Sequence, residues 1–271
     1  MASKSKKTTE EEAAEEEAPK NRPGPVRENF ASLVATAVLA LFFTTFLAQA
    51  FEIPSESMED TLLVGDRPFV NKLAFAPQTS WIGPLLPYEE IRRGDIIIFK
   101  HPAQPDRIHM VKRAIGLPGD RLKIINRQLW INGRLLDEGY KVHKMGTIEE
   151  YRDNFPAPAY GQVYPEWRDE MPKHVDKDGW LVVPPGHYFA MGDNRDYSLD
   201  SRYWGFVPRE NILGRPLVLY WSMDLTRADY QATGLGNRVV NFIGMIIDLP
   251  RKTRWKRLFR TFPRPPATQS R

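Results

Sequence analysis

A chain of 271 residues with 42% hydrophobic and 11% aromatic side chains has enough apolar material for one large domain or two smaller ones. Cysteine is absent, which excludes disulfides, thiolate nucleophiles and Cys-ligated zinc. The net charge of +4 is small and local: Arg251 to Arg271 carries eight Lys/Arg and no acid, so the basic balance comes from a tail and is no argument for nucleic-acid binding.

In chain order, residues 1–29 combine a lysine-rich start, the acidic run Glu10 to Glu17 and Asn21-Arg-Pro-Gly-Pro, with almost nothing apolar to bury. They read as a disordered cytoplasmic tail. From Phe30 to Phe51 there are 22 residues without a charge, enough for a transmembrane helix over 30–50. A buried globular helix is too short a use of such a run. The Ala48-Gln-Ala50 pattern would suit a cleaved leader, but the apolar stretch is long for one. Lys20, Arg22 and Arg27 precede the span and no Lys or Arg follows until Arg67, which places the N-terminus in the cytoplasm and the rest outside.

Past the span, short β-branched runs alternate with Gly and Pro, as in Arg67 to Lys72, Asp95 to Lys100, Ile108 to Ile115, Arg121 to Ile125, Tyr188 to Met191 and Pro216 to Trp221. A mainly β body follows, with a core over 51–125 and 180–230. Asn132-Gly133 marks a hairpin, because a type I′ turn needs positive φ at both central residues. Residues 126–179 read as an inserted, smaller β-rich region, polar and aromatic from Asp137 onward. Residues 231–271 form a basic C-terminal segment. In it Trp255, Leu258, Phe259 and Phe262 follow helical spacing with Arg254, Lys256, Arg257 and Arg260 between them. The pattern fits a membrane-surface helix or a last strand of the core.

Three segments carry chemistry. Phe51-Glu-Ile-Pro-Ser55-Glu-Ser57-Met58 sets two hydroxyls two residues apart in a proline-stiffened turn. In the second, strand alternation places Met110, Lys112 and Ala114 on one face and His109, Val111 and Arg113 on the other, so Lys112 stands between apolar neighbours. Desolvation there lowers a lysine pKa and makes a neutral amine available as a base. The third, Gly192 to Phe206, is dense in small and charged residues but lacks the central Gly and terminal Glu of an EF-hand, so no metal is expected.

Taken in order, S-x-S-M (Ser55 to Met58), R-G-D-I-x-x-F (Arg93 to Phe99), K-R-x-x-G-L-P-G-D (Lys112 to Asp120) and G-D-N-R-D-x-S-x-D-S-R-Y-W-G-F (Gly192 to Phe206) resemble signal peptidase I, the type I leader peptidase family of Ser/Lys proteases. The resemblance implies a signal-peptidase-type β catalytic core preceded by one transmembrane helix. It makes Ser57 the nucleophile, Lys112 the general base, Ser55 an oxyanion donor and Ser198 the residue that hydrogen-bonds and orients the lysine amine. It assigns an apolar substrate groove to Phe51, Ile53, Pro54, Met58, Leu62, Met110, Val111 and Leu199. It also pairs Arg113 with Asp193, and Asp200 with Arg202, as structural support. Preproteins with signal peptides cut after small-x-small motifs, and membrane lipids, are the implied partners. No cofactor is implied, and the implied place is the outer face of a bacterial cytoplasmic membrane. Glu56 and Leu199 depart from the residues common in the family and bear on specificity. A catalytically idle, membrane-tethered β scaffold is the alternative, and the presence of every catalytic residue argues against it.

Overall fold

The computed structural model describes residues 25–42, 48–75, 89–106, 108–158, 161–225 and 250–264. It divides into a unit ending at Phe43 and a second from Thr44 to Arg271. In the first, helix α1 (Pro25–Phe42) leaves every described side chain from Glu28 to Phe42 exposed, including Phe30, Leu33, Leu39 and Leu41. Among the described residues, no helix is long and apolar enough to cross a membrane.

The uncharged run does not continue as helix to Phe51. Strand β1 (Ala48–Ala50) pairs antiparallel with β2 (Asp66–Asn71), and the Phe51 N–H donates to the Pro68 carbonyl at 3.0 Å. The end of the expected span is therefore an edge strand of the second unit. A residue that finds a ladder partner on β2 satisfies its backbone there and has no need of the helix.

The second unit is built on antiparallel strands, as the alternating sequence requires. They are β3 (Ile96–Lys100), β4 (His109–Gly116), β5 (Arg121–Ile125), β6 (Gln128–Ile131), β7 (Arg134–Leu135), β8 (Leu181–Val182), β9 (His187–Met191), β10 (Val207–Pro208) and β11 (Ile212–Ser222). Seven form one sheet in the order β1-β2-β11-β3-β4-β9-β10, and four form a smaller one in the order β7-β6-β5-β8. The long β11 shifts register between Pro216 and Val218 and again between Leu219 and Trp221, the latter opposite Pro68 of β2. Proline supplies no N–H to a ladder, and bulges absorb the gap. At the β6–β7 turn Asn132 (φ 51°) and Gly133 (φ 80°) take the conformation that the hairpin needs.

The inserted region is less β-rich than its sequence suggests. After β7 it is carried by turns and two short helices, α2 (Glu150–Asp153) and α3 (Pro165–Glu170), and its small sheet borrows β5 and β8 from the flanking chain. Pro-rich, weakly periodic sequence cannot sustain the strict alternation of a strand. The region still shares the core: Tyr151, Phe155, Trp167 and Met171 pack in one cluster with Ile115, Phe189 and Met191.

The C-terminal segment does not form the helix that its spacing offers. Thr253 and Thr261 make isolated antiparallel bridges to Met223 and Val218, a single 3₁₀ turn covers Trp255–Arg257, and Phe259 has φ 60°. Arg257 donates to Asp66 and to the Thr61 carbonyl, and Arg254 to the Val64 carbonyl. Phe262 is buried with Ile53, Met58, Leu62 and Leu219. Fixed acceptors and a core pocket thus outweigh the amphipathic pattern, while Trp255 and Phe259 remain exposed at 58% and 77%. Val239 to Ile247, nine uncharged residues and so too short a run to span a membrane, lies outside the described residues. A fourth helix, α4 (Ser201–Trp204), follows the loop that closes the site.

Candidate active site

Pro54 ends the extended entry from β1, and the chain turns through one 3₁₀ turn, Glu56–Met58, that points Met58 into the core and brings Ser57 to β4. There the Lys112 Nζ donates to Ser57 Oγ at 2.5 Å. Ser55 Oγ lies 3.2 Å from Ser57 Oγ. Lys112 is 2% exposed, and Ser57 5%. Burial pushes the lysine down to about 8, with Arg202 adding to the shift while Asp200 and Asp193 oppose it. Only about a tenth of the amine is thus neutral at pH 7 and half of it near pH 8, and it touches a hydroxyl that has no other base within reach among the described contacts.

Two buried ion pairs hold this arrangement. Arg113 donates through Nε and a terminal nitrogen to the two oxygens of Asp193, at 2.8 and 2.6 Å. Thr61 adds a 2.6 Å hydrogen bond to the same carboxylate. Asp200 caps α4 and accepts two bonds from the Arg202 guanidinium, at 2.9 and 2.8 Å. Burial raises the Asp200 carboxyl, and Arg202 more than offsets it, so the group stays below the ordinary carboxylate value. Removing either partner would leave a buried charge unpaired, at a cost of about 3–5 kcal/mol. Both expected pairs are therefore formed.

Ser198 is close to the dyad but does not make the expected bond. Its Oγ is buried without a hydrogen-bond partner, since the lysine amine is directed to Ser57. The position is fixed by Gly192: a Cβ there would lie 2.3 Å from Ser198 Oγ and 2.4 Å from the Ser57 carbonyl, so no side chain fits. The eight expected groove residues divide in two. Phe51, Pro54, Met110, Val111 and Leu199 keep accessible surface. Ile53, Met58 and Leu62 are buried and pack in one cluster with Leu219 and Phe262.

Several contributors were not visible in the sequence. The Asn194 N–H donates to the Ser57 carbonyl at 3.2 Å, Thr61 braces Asp193, and Arg195 forms a bidentate pair with Glu138 of the inserted region. The density of charge in the third motif was the only signal for Arg195. No spacing signal pointed to Glu138, because its partner lies 57 residues away.

A family model described as signal peptidase, peptidase S26, matches residues 26–221. The chain belongs to the signal peptidase family. A signal peptidase I of Aquifex aeolicus is 35% identical over 229 residues, covering 73% of this chain and 85% of its own. One from Pseudomonas aeruginosa is 36% identical over 200 residues, 68% of each chain. A crystal structure of a signal peptidase I from Enterococcus faecalis, 32% identical, covers 47% of this chain and 97% of that one with a TM-score of 0.34. The family match takes in all three of the segments that meet at the dyad, and it ends within β11, before the C-terminal segment that buries Phe262.

Proposed function

We propose that this signal peptidase is a membrane-anchored endopeptidase that cuts N-terminal signal peptides from exported preproteins after small-x-small motifs. Ser57 is its nucleophile and Lys112 its general base. The observation that carries this reading is the buried Lys112 amine in direct contact with the Ser57 hydroxyl. A serine hydroxyl attacks a carbonyl only when a base takes its proton, and a neutral lysine is a known substitute for histidine in that task. Ser57 Oγ adds to the scissile carbonyl as its proton passes to Lys112 Nζ. The Ser55 hydroxyl and the Ser57 backbone N–H are the donors for the developing oxyanion. The ammonium then protonates the leaving amine, and a water, deprotonated by the same lysine, releases the acyl group.

Specificity comes from lack of space. The lining, with Pro54 and Leu199 exposed and Phe51, Met110 and Val111 half-buried, rests on the tightly packed Ile53, Met58 and Leu62, which cannot easily yield. Purified protein in detergent should cut a preprotein whose signal ends in Ala-x-Ala and leave the residue after the second Ala as the new N-terminus. Replacing that second Ala with Phe should lower kcat/KM by about tenfold or more, as overpacking a rigid groove costs about 1–3 kcal/mol. Cleavage elsewhere, or equal rates for the two substrates, would remove this reading.

The anchor is proposed from the 22-residue uncharged run Phe30 to Phe51, which α1, by itself not long and apolar enough to cross a membrane, carries as far as Phe42. The apolar side chains of α1 are exposed on all sides, which in water would be a large unfavourable surface. Lys20, Arg22 and Arg27 before the uncharged run support a start in the cytoplasm and a catalytic unit on the outer face. The full chain should stay with membranes through an alkaline carbonate wash, and release into the supernatant would contradict an integral anchor.

A further inference from the structure

The loop 192–200 has a problem of its own. It leaves β9 at Met191 and enters α4 at Ser201, so its backbone belongs to neither, yet it holds Asp193, Ser198 and Asp200. Buried backbone groups of this kind need fixed partners. On one side the loop is tied to the nucleophile turn, through the Asn194 N–H to the Ser57 carbonyl. On the other side its partners come from residues 138–145 of the inserted region.

Those partners are closely spaced. Val142 and Asn194 form a parallel bridge, with the Val142 N–H donating to the Asp193 carbonyl at 2.9 Å and the Arg195 N–H to the Val142 carbonyl at 3.0 Å. The backbone N–H groups of Lys144 and Met145 both donate to one oxygen of Asp196 at 2.7 Å. The Tyr140 ring lies 3.9 Å from the Arg113 guanidinium that pairs with Asp193. The Lys144 ammonium is 2.6 Å from Glu59, which also accepts from the Asn194 side chain at 3.1 Å. Beneath them Glu138, 6% exposed, receives two bonds from Arg195, 3% exposed, and the Nε of that guanidinium donates to the Gly192 carbonyl at 3.0 Å.

We propose that residues 138–144 are a positioning strap for the loop 192–200, anchored by Glu138, which fixes Gly192 through Arg195 and so sets Ser198 and Asp200 against Ser57 and Lys112. For its effect on rate this rests on the function proposed above. Glu138 touches no reacting atom and acts only through Arg195. Without its carboxylate the buried guanidinium loses both of its bonds to Glu138, and any turn it makes in search of another acceptor releases the Gly192 carbonyl. Of the accessible groove side chains, Leu199 lies on the loop while Phe51, Pro54, Met110 and Val111 lie on other elements, so most of substrate binding is spared.

The test compares wild type, Glu138→Gln, the double variant Glu138→Met with Arg195→Met, and Lys144→Ala. Glu138→Gln should lower kcat by about 10- to 100-fold, the scale of a small misplacement of reacting groups, with KM within about threefold. The double variant replaces a buried pair with apolar side chains of similar length, a change that commonly preserves stability. It should keep its Tm but not recover kcat, since the hold on Gly192 is still missing. Lys144 is partly exposed, so Lys144→Ala folds regardless, and its kcat should fall by about two- to fivefold. Amide hydrogen exchange gives a readout free of the reaction: peptides over 192–200 should lose protection in Glu138→Gln while those over 96–116 do not. Unchanged exchange over 192–200, a rise in KM at unaltered kcat, or a double variant with full kcat would each overturn the strap. Failure of wild type to cut any preprotein, with exchange changing as stated, would leave the strap standing and remove the proposed reaction instead.

Discussion

Ser57→Ala is expected to lower kcat for preprotein cleavage by about 10⁴-fold or more, and Lys112→Met by about 10²- to 10⁴-fold, with both proteins folded. The nucleophile and its base act as a unit, so the double variant should be no slower than the worse single one. Lys112→Met is the informative change. It keeps the length and apolar stem of the side chain and removes an amine that burial already penalises, so the fold gains nothing from the lysine's charge and the loss is chemical. Lys112→Arg sharpens the test. A guanidinium can still donate to Ser57 but does not give up its proton in a protein, so this variant should be as inactive as Lys112→Met. Rates from a purified preprotein under single-turnover conditions check all four. More than about a tenth of wild-type activity in Ser57→Ala or Lys112→Arg would contradict the dyad.

What the sequence made legible was local or was carried by a motif. Strand alternation placed Lys112 and Met110 on one face, and the Asn132-Gly133 turn was specified by backbone conformation alone. The pairs Arg113–Asp193 and Asp200–Arg202 form as the family resemblance implied. The misreadings share one cause, the competition of distant partners. Ala48–Ala50 looked like helix by its lack of charge, yet the free edge of β2 drew it into a strand. The amphipathic spacing after Arg251 described a helix, yet Asp66 and the Thr61 and Val64 carbonyls captured its arginines and the core captured Phe262. The resemblance assigns Ile53, Met58 and Leu62 to the groove, and their burial against Leu219 and Phe262 depends on distant packing that apolar type alone does not show. The bond between Glu138 and Arg195 leaves no trace in spacing, since its strength depends on burial from both ends.

The charge on Lys112 governs when the enzyme can work. Burial and Arg202 favour the neutral amine, and Asp200 and Asp193 favour the ammonium; burial prevails and the group titrates at about 8. Only the neutral form accepts the Ser57 proton, so activity is lost as pH falls through that value and is fully present above it. Each pH unit below the midpoint should cost about tenfold. The most direct measurement is the pH dependence of kcat/KM for one preprotein, on wild-type enzyme shown to stay folded across the range. A single rising limb with its midpoint near pH 8 is the predicted result. A rate that is flat from about pH 6 to 9, or that falls as pH rises through this range, would contradict Lys112 as the base.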